Sequence, residues 1–224
     1  MDSKKLNIAF FIGSELESGG RYQCEYKVLD ILKKYHKDQG INLKFYGLRE
    51  KVKKDYIDLN LDINIIKENI FQKLHRYSLP HFLFYYIFSK IKMGLSSIEK
   101  QLANEQIDLV YFLGPDIVSH GLTNIPYIFT LWDLGHLDIL EFPEISYDGQ
   151  FDRREFTNTR SLKKSYKVIV DSEWGKQNVI KKYNLDEKRI EVFKFLPNIK
   201  INKTETTVRI KEKYKLKNDY IFYP

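Results

Sequence analysis

Asp133 and His136 lie three positions apart at the end of an apolar run, with Trp132 directly before them and Gly135 between. A carboxylate and an imidazole are the usual handlers of hydroxyl groups: either can take a proton or hold a hydroxyl in place. A glycine in the same loop would keep the backbone close to a ligand. The plainer alternative is that Asp133 and Gly135 only turn the chain, with His136 a satisfied polar residue. Zinc is disfavoured, because His136 has no second His or Cys at ligand spacing and His120 belongs to another loop.

Two other stretches have chemical potential. Gly13-Ser14-Glu15-Leu16-Glu17-Ser18-Gly19-Gly20 separates an apolar strand from a helix. Glycines before a helix start can hold phosphate, since bare N–H groups and the helix dipole both favour an anion. The spacing matches neither G-x-G-x-x-G nor a Walker loop, and a turn serving geometry alone explains it equally well. Asp171-Ser172-Glu173 lacks the G-x-S-x-G elbow of a hydrolase. Ser172 before a helix reads as an N-cap.

The elements that must position these residues alternate between strand and helix. Residues 6–12, 42–46, 109–113, 127–131, 167–170 and 190–195 read as strands. Helices are expected from Tyr22 to Lys34, within 78–105, over 151–164 and over 173–183, while 50–68 reads as loops with short regular pieces. Short continuous apolar strands separated by helices predict a doubly wound parallel sheet of α/β, Rossmann-like type. Ligands of such sheets bind at the carboxyl ends of the strands. The Gly13–Gly20 loop, the Gly114-Pro115-Asp116 turn, the Asp133/His136 loop and the Asp171 turn all fall there, which predicts that the first and third face one another across one sheet edge.

Composition narrows the classes. The 224 residues carry a net charge of +7, but Lys and Arg are spread through nearly every helix and mixed with acids. That is not the clustered pattern of a nucleic-acid binder. An anionic substrate, an anionic membrane surface or plain compositional bias would each account for the excess. The single cysteine, Cys24, excludes an internal disulfide and suits a reducing compartment; inside the first helix it reads as a small core residue. The apolar run at 6–12 is too short to span a membrane. The aromatic run His81–Phe88, with His75-Arg76 and Lys90 and Lys92 around it, is either a buried helix or a membrane-interface contact.

Taken in order, several segments resemble the N-terminal domain of retaining, nucleotide-sugar-dependent GT-B glycosyltransferases, glycosyltransferase family four. They are the first strand with Ser18-Gly19-Gly20; Ile125 to His136; Arg153-Arg154-Glu155-Phe156; Lys167 to Lys176; and Lys188 to Val192 leading to Pro197. The resemblance implies an acceptor-side Rossmann-like domain over residues 1–199, with Asp133 and His136 as catalytic groups. It places Gly19, Gly20, Trp132, Gly135, Ser172 and Glu173 among the substrate contacts. Many relatives carry a histidine directly before the aspartate, where this chain has Trp132. The imidazole role would then pass to His136, or be replaced by a sugar stacking on Trp132.

The resemblance further implies a nucleotide-sugar donor, a glycan or lipid-linked acceptor, no metal, no other cofactor and no nucleic acid. Surface polysaccharide assembly in the cytoplasm, or at the inner face of the membrane, would be the setting. Residues 200–224 would form a linker and, at Tyr220–Tyr223, the first strand of a C-terminal domain. The basic pair and the E-x7-E glutamates that hold the diphosphate in relatives have no counterpart in these 224 residues. The chain alone is therefore expected to be inactive and to need that domain or a complementary chain. The alternative is a non-catalytic α/β module that binds a sugar, a nucleotide or a partner.

Overall fold

The computed structural model describes residues 5–35, 40–68, 70, 73, 96–194 and 212–218. The aromatic run at 81–88 and the strand expected at 220–223 lie outside them. Among the described residues seven strands form one sheet: β1 (Leu6–Ile12), β2 (Ile41–Gly47), β3 (Ile63–Ile65), β4 (Leu109–Phe112), β5 (Tyr127–Thr130), β6 (Lys167–Val170) and β7 (Ile190–Val192). The order is β3-β2-β1-β4-β5-β6-β7 and every pairing is parallel. This is the doubly wound arrangement expected from the strand and helix alternation. The chain builds outward from β1 to β3, returns to β4, and then builds the other way. The loops after β1 and β4 therefore diverge and leave a crevice at the carboxyl edge.

β1 shows why its run is continuously apolar. Successive side chains point to opposite faces, and both faces are covered. Phe10 and Ile12 join one core with Tyr22, Leu29, Val52 and Tyr56. Ala9 and Phe11 join the other with Leu102, Phe112, Phe129, Leu162, Val168 and Val179. The covering helices are α1 (Gly20–Tyr35), α2 (Glu50–Asp55), α3 (Ser96–Asn104), α6 (Gln150–Lys164) and α7 (Glu173–Tyr183). Two one-turn helices, α4 (Gly135–Asp138) and α5 (Pro143–Ser146), lie between β5 and α6.

Several boundaries differ from expectation. β4 ends at Phe112 and β7 at Val192, each short of the predicted run. The segment 50–68 is more ordered than its sequence suggests: α2 and β3 are both regular, because β3 pairs with β2 through Phe45–Ile63, Tyr46–Asn64 and Gly47–Ile65. A 3-10 turn at Leu16–Ser18 occupies the middle of the glycine loop. Cys24 is only half-buried on α1, not a full member of the core. Among the described residues no helix is long and apolar enough to cross a membrane.

Candidate functional site

A cleft of about 670 Å³ opens at the carboxyl edge, where the loops after β1, β4 and β5 converge on the start of α6. Arg21, Asp116, Trp132, Asp133, Arg153 and Asn158 are among its lining. The β1 and β5 loops thus flank the same edge, and they meet over Gly114. A Cβ at Gly114 would come within 2.5 Å of Trp132 Nε1 and 3.0 Å of Arg21 Nε. Only a residue without a side chain lets both groups crowd that point.

Trp132 and Asp133 both line the cleft. Asp133 is exposed; its Oδ1 accepts the Gly135 N–H at 2.7 Å and is also paired with Arg154. Gly135 is constrained by that turn, since a Cβ there would lie 3.1 Å from Asp133 Oδ1. His136 is turned the other way. It is fully buried and bonded through Nε2 to Glu155 Oε2 at 3.0 Å, beside the Phe151 ring. Glu155 also accepts from the Tyr183 hydroxyl at 2.7 Å and from Thr159 Oγ1 at 2.9 Å.

The charge states follow from these contacts. Burial pushes the His136 pKa down, and the Glu155 hydrogen bond only partly offsets it. Burial would raise the Glu155 pKa, but hydrogen bonds from Tyr183, Thr159 and His136 hold it below the ordinary value. A neutral imidazole facing an ionised carboxylate must carry its proton on Nε2, because the carboxylate only accepts. Nδ1 is buried and makes no hydrogen bond. His136 therefore acts as a donor within a buried network, and no hydrogen bond joins it to Asp133.

The glycine loop has a different interior from the one its sequence evokes. The N–H groups of Gly13 and Ser14 both donate to Glu25 Oε2, at 3.2 and 3.1 Å, and Ser14 Oγ lies 2.7 Å from the same oxygen. Ser14 Oγ also meets the Tyr56 hydroxyl at 2.7 Å. An internal carboxylate thus fills the anion position at this end of the loop. Glu25 Oε1 in turn accepts from Arg21 Nε at 2.9 Å, and this pair aims the guanidinium between Gly13 and Gly114. Gly19 and Gly20 are exposed at the amino end of α1, and a Cβ at either would meet nothing within 4 Å. Arg21, rather than the glycines, is what this loop contributes to the cleft lining.

Ser172 caps α7: its Oγ accepts the Gly175 N–H at 3.1 Å and donates to Asp171 Oδ1 at 2.9 Å. Glu173 is exposed in the first turn. Among the described residues no group of three or more His, Cys, Asp or Glu side chains is placed to hold a metal ion. Sequence reasoning passed over Arg21, Glu25 and Asn158. The first two carry a usable signal, a charged pair at i and i+4 on a helix that starts directly after glycines. Asn158 carries none, since it is one polar residue among many on α6.

No family profile matches the sequence, and no curated protein matches it either. Solved structures do match. A glycosyltransferase from Rickettsia africae ESF-5 is 16% identical with a TM-score of 0.51, over 97% of this chain and 51% of that one. The lipopolysaccharide outer core galactosyltransferase WaaB in its apo form is 13% identical with a TM-score of 0.48, over 84% and 45%. A Listeria monocytogenes protein named for UDP-N-acetylglucosamine 2-epimerase is 12% identical with a TM-score of 0.49, over 84% and 45%. The chain thus spans about half the length of the structures it resembles. At these identities the likeness is one of fold: the chain has a glycosyltransferase-like, Rossmann-type α/β architecture.

Proposed function

We propose that this chain is the acceptor-side half of a nucleotide-sugar-dependent GT-B glycosyltransferase of the family-four type, acting on a glycan or lipid-linked acceptor in surface polysaccharide assembly. The observation that carries the reading is the cleft. An indole, two carboxylates, an amide and three guanidinium groups surround one open space at the sheet's carboxyl edge. Such a set suits a polyhydroxyl ligand meeting a diphosphate: Asp133 and Asp116 can accept hydrogen bonds from hydroxyls, Asn158 can both donate and accept, and the arginines favour the anion. In the transfer, an acceptor oxygen bonds to the anomeric carbon, the bond from that carbon to the diphosphate breaks, and the hydroxyl proton leaves with the departing phosphate or to solvent. Asp133 would position the hydroxyl. His136 would act from behind, by fixing α4 against α6 through Glu155.

Donor binding is assigned to a C-terminal domain or complementary chain, and no metal or further cofactor is invoked. The cytoplasm, at the inner face of the membrane where a lipid-linked acceptor would lie, is the proposed setting. A second reading, a sugar- or partner-binding module without chemistry of its own, is favoured by one feature: with His136 buried, no imidazole among the described residues lines the cleft. Two measurements separate the readings. Calorimetric titration of the chain alone with a panel of nucleotide sugars should show no micromolar binding; such binding would overturn the half-site assignment. Joined to a donor-binding domain, the chain should transfer labelled sugar to a glycan acceptor, whereas a binding module would retain glycans and transfer nothing.

A further inference from the structure

The chain contains two tryptophans, and both line one recess beside the cleft. Trp174 stands in the first turn of α7 and is 65% exposed, unusual for the largest apolar side chain. The recess holds about 60 Å³ and is also lined by Asp133, Asp171, Gly175 and Asn178 over an aliphatic floor. Trp132 and Asp133 line both the recess and the cleft, so the two spaces adjoin.

The polar rim has unused capacity. Asp171 Oδ1 accepts from Ser172 Oγ, and its other oxygen makes no hydrogen bond among the described residues. Asn178 spends its amide N–H on Asp138 at 3.4 Å and keeps its carbonyl oxygen as an acceptor. A pyranose offers the matching surface: an apolar face of C–H groups for an indole, and a rim of hydroxyl donors for carboxylates and an amide. A phosphorylated ligand does not match, because among the described residues no Lys or Arg lines the recess while two carboxylates do.

We infer that the recess between Trp132 and Trp174 is an extension subsite for a neutral sugar unit, so that the acceptor is an oligosaccharide of at least two residues. One unit occupies the cleft against Trp132 and Asp133, and the next stacks on Trp174 with its hydroxyls on Asp171 and Asn178. The inference rests on the proposed acceptor role of the cleft and adds the length of what the cleft accepts.

The test is an array of neutral glycans of one to six residues, probed with the full chain and with Trp174→Ala and Trp174→Phe. Because Trp174 is so exposed, neither substitution should affect folding, which circular dichroism checks. The full chain should retain glycans of two or more residues about two- to tenfold better than the matching single sugars, the scale of one stacking contact. Trp174→Ala should erase that preference and Trp174→Phe should restore most of it. In a Trp132→Phe chain, where Trp174 is the sole indole, a retained disaccharide should shift the fluorescence.

Equal retention by the full chain and Trp174→Ala would overturn the subsite while leaving the acceptor reading intact. Retention of nothing on the array would overturn both. If Trp174→Ala changed only sedimentation, Trp174 would be a protein contact and the subsite would be wrong.

Discussion

Two arginine–carboxylate pairs sit at the two corners of the cleft, and they differ in one respect. In Arg21–Glu25 the carboxylate side chain is 0% exposed; in Arg154–Asp133 it is 59% exposed. Glu25 is surrounded by donors from the chain itself, two amides and a serine hydroxyl as well as the guanidinium. Asp133 has one amide and one arginine, both on Oδ1, and is exposed where it lines the cleft. The first pair builds the wall that the second works beside. Both corners follow a strand and contain glycine, so a strand–glycine–helix pattern does not by itself distinguish a pedestal from a site.

The sharpest way to break this contrast is Glu25→Ala. It would leave the Gly13 and Ser14 amides without an acceptor and Arg21 without its counter-ion. Removing one member of a largely buried pair costs about 3–5 kcal/mol, so urea unfolding should show a large loss of stability. A loss below about 1 kcal/mol would mean that Glu25 is dispensable to the wall.

Asp133→Asn should do the reverse. An exposed pair contributes only about 0–1 kcal/mol, so the unfolding midpoint should hardly move. If the proposed transfer holds, then in the chain joined to a donor-binding domain turnover should fall on the order of a hundredfold, the loss that misplacing a reacting group can cause. A sharp drop in melting temperature with turnover per folded molecule unchanged would make Asp133 a turn residue.

A smaller effect separates His136 from both pairs. Its folded pKa lies below the ordinary value near 6.5, so just below that pH the unfolded chain binds a proton that the folded chain does not. Stability should therefore fall as pH drops from about 6.5 toward the lower folded pKa. The depressed Glu155 carboxyl adds a second loss below about pH 4.5, where the unfolded chain again takes up the extra proton. His136→Gln should flatten the upper part of the profile and keep most of the lower part, because Tyr183 and Thr159 still donate to Glu155. An unchanged upper slope would show that His136 is not buried neutral.

Much of the fold was legible because it follows from local pattern. β1, β6 and α7 begin and end where apolar runs and caps place them. β3 was not legible: three residues cannot establish a period, and their pairing with β2 is a tertiary fact. The site was readable as a location but not as a set of orientations. Trp132 and Asp133 could be placed at the strand end. The inward turn of His136 depends on Glu155, nineteen positions away on α6. Glu25 reads as an ordinary surface pair with Arg21 until the β1 loop is seen to close over it.

Gly114 has a consequence for how the two corners add up. Trp132 and Arg21 both press into the space that a Cβ would take, so a ligand that shifts the indole changes the room available to the guanidinium. Contributions of groups sharing one space are not additive. Binding energy gained at the indole will therefore depend on what occupies the arginine corner, and two cleft ligands will show linked affinities.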